Sequence, residues 1–187
     1  MQGNNLAALE QNRINARHAN IFQNPQMGKI IFGFLYTISQ IIMFKILSRL
    51  GSDPLMLQIT FSKERFLEIV GGWGRYGVGI YKSHYWFDFV HPIWYSIFLA
   101  SFIAWLSAKK GASPSRGLLL LFCLPFAAGL CDLAENIFHV LMLNSVIRIT
   151  TFSVASSAAF ANTKWLFAGI SIAAKIELGI KKARAKH

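Results

Sequence analysis

The sequence predicts an all-α fold, an integral membrane four-helix bundle, from composition, apolar runs and charge distribution. Hydrophobic residues make up 54% of the 187 residues and charged residues only 14%, and the mean hydropathy is +0.42. These values lie outside the range typical of soluble globular domains. Four apolar runs reach the ~20 residues that a helix needs to cross a bilayer. They are residues 28–48, 87–107, 117–143 and 149–173.

The basic residues predict the orientation of these four spans. Lys and Arg are enriched in a polar N-terminal arm (residues 1–26), in the loop after span two and in a basic C-terminal tail (residues 175–187). The opposite side carries fewer of them, and Asp53, Glu64 and Glu68 partly offset their charge. By the positive-inside rule, both termini are cytoplasmic, or in the matrix of a mitochondrion. We expect a bacterial inner membrane first and a mitochondrial inner membrane second.

The net charge of +11 raises the question of a nucleic-acid partner. No nucleic-acid recognition module accompanies the basic tail, so we expect no nucleic acid as partner. A basic segment next to a membrane span is typical of contact with anionic lipid head groups. Membrane lipids are therefore the expected partners.

The segment between spans one and two is the one sizeable external segment. Ser62 is a suitable N-cap for an external amphipathic helix over Lys63–Val70. The glycines from Gly71 to Gly79 include a G-x-G-x-x-G pattern, but no strand precedes it and no βαβ unit surrounds it. We interpret these glycines as a hinge or turn.

Span three carries the most informative polar residues of the chain. Asp132, Glu135, Asn136 and His139 lie at i, i+3, i+4 and i+7 in an apolar run. On a helix these positions share one face. Ionisable residues at this depth are costly and usually face the interior of a bundle, where they mark a functional site.

Span two carries a second polar stripe if its helix extends back to Tyr81. That stripe comprises Tyr81, His84, Asp88, His91 and Tyr95. We interpret His84 as interfacial, and we expect Pro92 to kink the helix and to leave the carbonyl of Asp88 free.

Counting ~1.5 Å per residue from the outer ends of the spans puts the two stripes at the same depth. The sequence therefore predicts a polar pocket in the external half of the bundle. Span four brings Lys164 near mid-membrane, within reach of Asp132. The candidate catalytic residues are Asp88, Asp132, Glu135 and His139. The candidate ligand-binding residues are His91, Tyr95, Asn136, Lys164 and Trp165.

Several short motifs occur in a fixed order along the chain: Trp73-Gly74-Arg75, Asp88 with Tyr95, Asp132-Leu133-Ala134-Glu135-Asn136, and Lys164-Trp165. This order resembles a group of small four-span bacterial integral membrane proteins of unassigned function, over residues 61–173. Asp-x-x-Glu-Asn in span three is the distinctive motif, and His91 and His139 are not part of the pattern. The resemblance implies four spans and a site at these residues.

The main functional hypothesis is that the pocket binds or acts on a lipophilic ligand with a polar end. A carboxylate and a histidine could serve as proton donor and acceptor there, for example to move a double bond.

Two other hypotheses use the same residues. Asp88-x-x-His91 and Glu135-x-x-x-His139 could form a metal site, because these spacings put carboxylate and imidazole on one helix face. The chain could instead be a non-catalytic accessory subunit of a larger membrane complex, for example of a respiratory chain, in which the polar residues only fix helix packing. No cofactor is indicated by the sequence.

Overall fold

A computed structural model describes residues 25–109 and 115–184, with side chains for residues 26–108 and 115–173. Helices account for nearly all of this part of the chain, and no strand occurs in it. The helices are α1 (Pro25–Leu47), α2 (Asp53–Ile59), α3 (Lys63–Ser83), α4 (Tyr85–Asp88), α5 (His91–Lys109), α6 (Arg116–Leu143) and α7 (Thr151–Arg184), with a 3-10 turn at Ser48–Leu50. The prediction of an all-α fold is confirmed.

Three helices in the described ranges are long and apolar enough to cross a membrane: Gln26–Leu50, His91–Ala108 and Arg116–Leu143. They indicate a multi-pass membrane protein. The predicted fourth span, residues 149–173, lies on α7, which is not among the three. Its serines, Asn162 and Lys164 lower the hydropathy of this helix below that of the other spans.

The long helices pack in chain order, α1 on α5, α5 on α6, and α6 on α7. Helices α1 and α7 make little direct contact with each other. At Gly129 the α5–α6 contact is close, because a Cβ there would lie 2.6 Å from the Ser96 hydroxyl and 3.2 Å from the carbonyl oxygen of Pro92. That hydroxyl donates a hydrogen bond to the carbonyl of Pro125, a proline inside α6.

The segment between the first two predicted spans contains the predicted amphipathic helix, which is longer than expected. The Ser62 hydroxyl accepts a hydrogen bond from the backbone N–H of Arg65, so the predicted N-cap is confirmed. The helix continues past Val70 to Ser83 across a kink at Gly74, so most of the glycine-rich segment is helical and the predicted hinge is confined to this glycine. Only Gly74 leaves the helical conformation, with φ 57° and ψ −169°. A residue with a side chain would be strained in this backbone conformation.

Span two begins later than the sequence predicts. The chain breaks at His84 and again at Phe89–Val90, so Tyr81 to Tyr95 do not share one continuous helix, and α5 starts at His91 rather than residue 87. Pro92 therefore lies in the first turn of α5, where its missing N–H costs no helical hydrogen bond. The prediction of a kink at Pro92 is wrong for this reason.

Parts of both predicted terminal segments and one predicted loop lie outside the described residues. These are residues 1–24 of the polar arm, the loop 110–114 and residues 185–187. The backbone of α7 continues to Arg184, through most of the predicted basic tail.

We expect Gly129→Val to separate α5 from α6 and to lower the free energy of unfolding by roughly 1–3 kcal/mol, because overpacking displaces Ser96 and the backbone at Pro92. The measurement is the thermal midpoint by circular dichroism in a neutral detergent. Gly169→Val is the matched control, since a Cβ at that position would meet no atom within 4 Å beyond its chain neighbours and the backbone of its own helix. Equal midpoints for the two variants would contradict the predicted clash.

Candidate functional site

A cavity of about 660 Å³ lies between α1 and α7, and α5, the short helices α2 and α4 and one residue of α6 complete its wall. Most of the wall is apolar and aromatic. The apolar and aromatic lining residues include Tyr36, Met43, Phe44, Leu47, Leu55, Phe98, Leu99, Ala168 and Ile172. Six further lining residues were predicted from the sequence as site residues, namely Asp88, His91, Tyr95, Asp132, Lys164 and Trp165, and His84 lines the cavity beside them.

Lys164 forms the central contact of the polar residues. Its Nζ atom lies 2.9 Å from Asp132 Oδ1 and 2.6 Å from Glu135 Oε2, so one cation on α7 bridges two carboxylates on α6. All three side chains are buried. The Lys164 ammonium also lies 5.4 Å from the centre of the Trp165 ring, within reach of a cation–π interaction. The sequence-predicted pairing of Lys164 with Asp132 is present in the structure.

Asp88 pairs with His84, which lies one helical turn earlier. His84 Nε2 is 3.2 Å from Asp88 Oδ2, and His84 Nδ1 donates to the carbonyl of Tyr81. Burial favours a higher pKa for Asp88, but the hydrogen bond and charge of His84 outweigh it and hold the pKa of Asp88 below its usual range. His84 is 1% exposed, so the interfacial position predicted for it is wrong.

The protons of this pair follow from its contacts. Both neighbours of the His84 ring, the Tyr81 carbonyl and the Asp88 carboxylate, are hydrogen-bond acceptors. A neutral imidazole has one N–H and can satisfy only one acceptor. An imidazolium would satisfy both acceptors, and together with the Asp88 carboxylate it would carry no net charge.

His91 is held by a serine of α1. Ser39 Oγ donates to the carbonyl of Tyr36 at 2.9 Å, and the same oxygen lies 2.7 Å from His91 Nδ1. Since the serine proton is directed to the carbonyl, Nδ1 of His91 is the donor in the second bond. His91 Nε2 is then a hydrogen-bond acceptor on a residue of the cavity wall.

The other polar residues of α6 lie behind the wall of the cavity. Asn136 donates from Nδ2 to the carbonyl of Asp88 at 3.3 Å, so this carbonyl is not free as expected. His139 Nδ1 lies 3.2 Å from the Tyr81 hydroxyl, beside a buried apolar cluster that includes Phe66 and Met142. Glu135, Asn136 and His139 are buried but do not line the cavity.

Tyr81 of α3 contacts His139 of α6 and the ring of Tyr85 of α4. Burial raises the pKa of both hydroxyls. Both side chains therefore stay protonated and can donate at neutral pH.

The residues proposed as metal ligands have other partners. Asp88 contacts His84, His91 contacts Ser39, Glu135 contacts Lys164 and His139 contacts Tyr81. Within the described residues, no group of three or more His, Cys, Asp or Glu side chains is arranged to hold a metal ion.

The structure thus brings together most of the residues that the sequence singled out. Asp88, His91, Tyr95, Asp132, Lys164 and Trp165 all line one cavity. Sequence reasoning missed the roles of His84 and Ser39. The signal for His84 was present, because it precedes Asp88 by four residues, a spacing that brings side chains together on a helix.

Comparisons with protein-family models, with curated proteins and with solved structures give no match to this chain. The geometry of the cavity is therefore the basis for a functional proposal.

We expect Lys164→Met to leave Asp132 and Glu135 as adjacent buried carboxylates and to lower stability by roughly 3–5 kcal/mol, as loss of one partner does in other buried ion pairs. The thermal midpoint in detergent is the measurement. The triple variant Lys164→Met, Asp132→Asn, Glu135→Gln should regain part of the loss, because it removes the unpaired charges together.

Lys45→Met is the control for this experiment, since Lys45 is an exposed lysine on an apolar helix. We expect it to leave the midpoint near that of the wild type. A Lys164→Met variant as stable as Lys45→Met would show that the ion cluster does not stabilise the fold.

Proposed function

We propose that this protein is a four-span membrane protein that binds, within the cavity between α1 and α7, a lipophilic ligand with one polar end. The observation that carries the proposal is the composition of the cavity wall. Apolar and aromatic side chains make up most of it, and a few buried ionisable groups lie together beside them. This combination is typical of small-molecule sites, which use few polar groups to orient a largely apolar ligand.

The size of the cavity supports this function. Its volume of about 660 Å³ falls within the ~300–1,000 Å³ range of small-molecule sites. Helix packing alone needs no such space, because interiors that only stabilise a fold are filled close to crystal density.

The arrangement of protons supports a role for the site in proton transfer. The His84–Asp88 pair holds a proton between two side chains of the wall, and His91 presents an acceptor nitrogen. A proton donor and an acceptor beside one cavity are the groups that an isomerisation by general acid–base catalysis requires. In this pair a protonated His84 is the proposed donor and the Asp88 carboxylate holds it in place, while Asp132 and Lys164 hold the polar end.

Helix α7 is the proposed fourth span, with both termini on the cytoplasmic side. It packs along α6, and its polar Lys164 faces the ion cluster instead of lipid. Phe152 and Leu166 of this helix are exposed outside the cavity, which suits contact with acyl chains.

The resemblance to small four-span bacterial proteins is consistent with this site. Five of its motif residues line the cavity, namely Asp88, Tyr95, Asp132, Lys164 and Trp165. Glu135 and Asn136 of the same motif contact Lys164 and the backbone of Asp88. We therefore propose that the shared motif encodes this pocket.

The proposal predicts that filling the cavity abolishes ligand binding. Ala168 lines the cavity, so a tryptophan at this position should occupy the space of the ligand. We expect Ala168→Trp to reduce the photolabelling of α1 and α7 severalfold, with a long-chain alcohol that carries a diazirine in its alkyl chain as the probe. Labelled peptides are quantified by mass spectrometry of the purified protein in neutral detergent.

Ala159→Trp is the matched control, because Ala159 lies on the same helix, is exposed and does not line the cavity. It should label like the wild type. Equal labelling of the two tryptophan variants would overturn the proposed function.

A further inference from the structure

We infer that the polar end of the ligand is a cation, such as the ammonium group of a long-chain amine, and that a ligand with an anionic end is excluded. This inference rests on the proposed function and names its ligand class. It follows from the charges and hydrogen-bonding capacities around the cavity.

The ion cluster of α6 and α7 has an excess of negative charge. Lys164 contacts both Asp132 and Glu135 and neutralises only one of them. Among the described residues that line the cavity, Lys164 is the one Lys or Arg. With both carboxylates ionised, the cluster has a net charge of minus one.

The other ionisable groups facing the cavity do not offset this charge. The His84–Asp88 pair adds no net positive charge, because the Asp88 carboxylate balances an imidazolium that donates to both of its acceptors. His91 donates to Ser39 and is a neutral ring with an open acceptor. Tyr95 lies on the same wall and adds no positive charge.

Hydrogen-bonding capacity points to the same ligand class. Glu135 Oε1 is buried and has no hydrogen-bond partner among the described residues, so Lys164 does not satisfy the cluster. Asp132, which lines the cavity, shares the one ammonium group of Lys164 with Glu135. A buried negative charge without a partner is costly, and an ammonium donor at Asp132 and His91 would supply both the charge and the protons.

A negatively charged head group would meet the opposite condition. It would bring a further acceptor to a cluster already short of donors, and like charges at a short distance in a low dielectric repel strongly. A fatty acid is therefore the ligand that the cavity should bind worst.

Three probes with the same twelve-carbon chain separate these possibilities: dodecylammonium, dodecanol and dodecanoate. Each is titrated at neutral pH against the full-length protein in a neutral detergent, and apparent dissociation constants come from the rise of the thermal midpoint with probe concentration. We expect dodecylammonium to bind about tenfold more tightly than dodecanol, and dodecanoate to produce no rise.

Two variants test whether charge causes this preference. Asp132→Asn and Glu135→Gln each leave Lys164 with one carboxylate, so the cluster becomes neutral and both should lose the tenfold preference for dodecylammonium. Glu135→Gln is the sharper test, because Glu135 lies outside the cavity wall and cannot contact the ligand there. Glu68→Gln removes a carboxylate that is exposed and paired with Arg65, and it should keep the preference.

The outcomes distinguish this inference from the proposed function. Equal binding of dodecylammonium and dodecanol, both abolished by Ala168→Trp, would overturn the cationic ligand and leave the pocket standing. Tighter binding of dodecanoate, or a preference for dodecylammonium that persists in Glu135→Gln, would likewise overturn it. No binding of any probe would overturn both.

Discussion

The contact of Lys164 with Asp132 and Glu135 is the interaction on which the rest of the structure depends. The two carboxylates are three residues apart on α6, so they lie on one face and repel each other unless a cation lies between them. Only Lys164 of α7 supplies that cation within the described part of the chain. The contact therefore fixes how α7 is rotated and shifted along α6, and it allows a helix with a lysine near its middle to pack among apolar spans.

The remaining buried polar groups constrain the other helices in the same way. Ser39 of α1 holds His91 of α5, and Asn136 of α6 holds the backbone of α4 at Asp88. In an apolar environment each of these groups would cost free energy without its partner. A shift of one helix by one residue would separate several pairs at once. The polar groups thus specify one arrangement of the helices, whereas apolar packing alone would tolerate several.

The success of the sequence predictions varied with the regularity of the backbone. The stripe on span three was predicted because α6 is one continuous helix, so its spacing carries over directly into a shared face. The stripe around Asp88 was predicted on a helix that the structure breaks twice, yet Asp88 and His91 still line the same cavity. The side of α6 that faces the cavity was not predictable. It depends on α1 and α2, which are distant in sequence and have no local signal for this contact, and so Glu135 and His139 were placed in the pocket when they lie behind it.

The small direct contact between α1 and α7 has a consequence for how the site would be reached. The side chains on either side of this gap, Phe44 and Trp165, are 69% and 54% exposed. Where these helices lie in a bilayer, the gap faces acyl chains, so a solute would enter sideways without crossing water. The concentration that determines binding is then the concentration of the solute in the lipid. This concentration rises with each methylene group of the solute, because each one favours partitioning from water into the bilayer. A site of modest intrinsic affinity would be occupied at trace aqueous levels of a sufficiently long amphiphile.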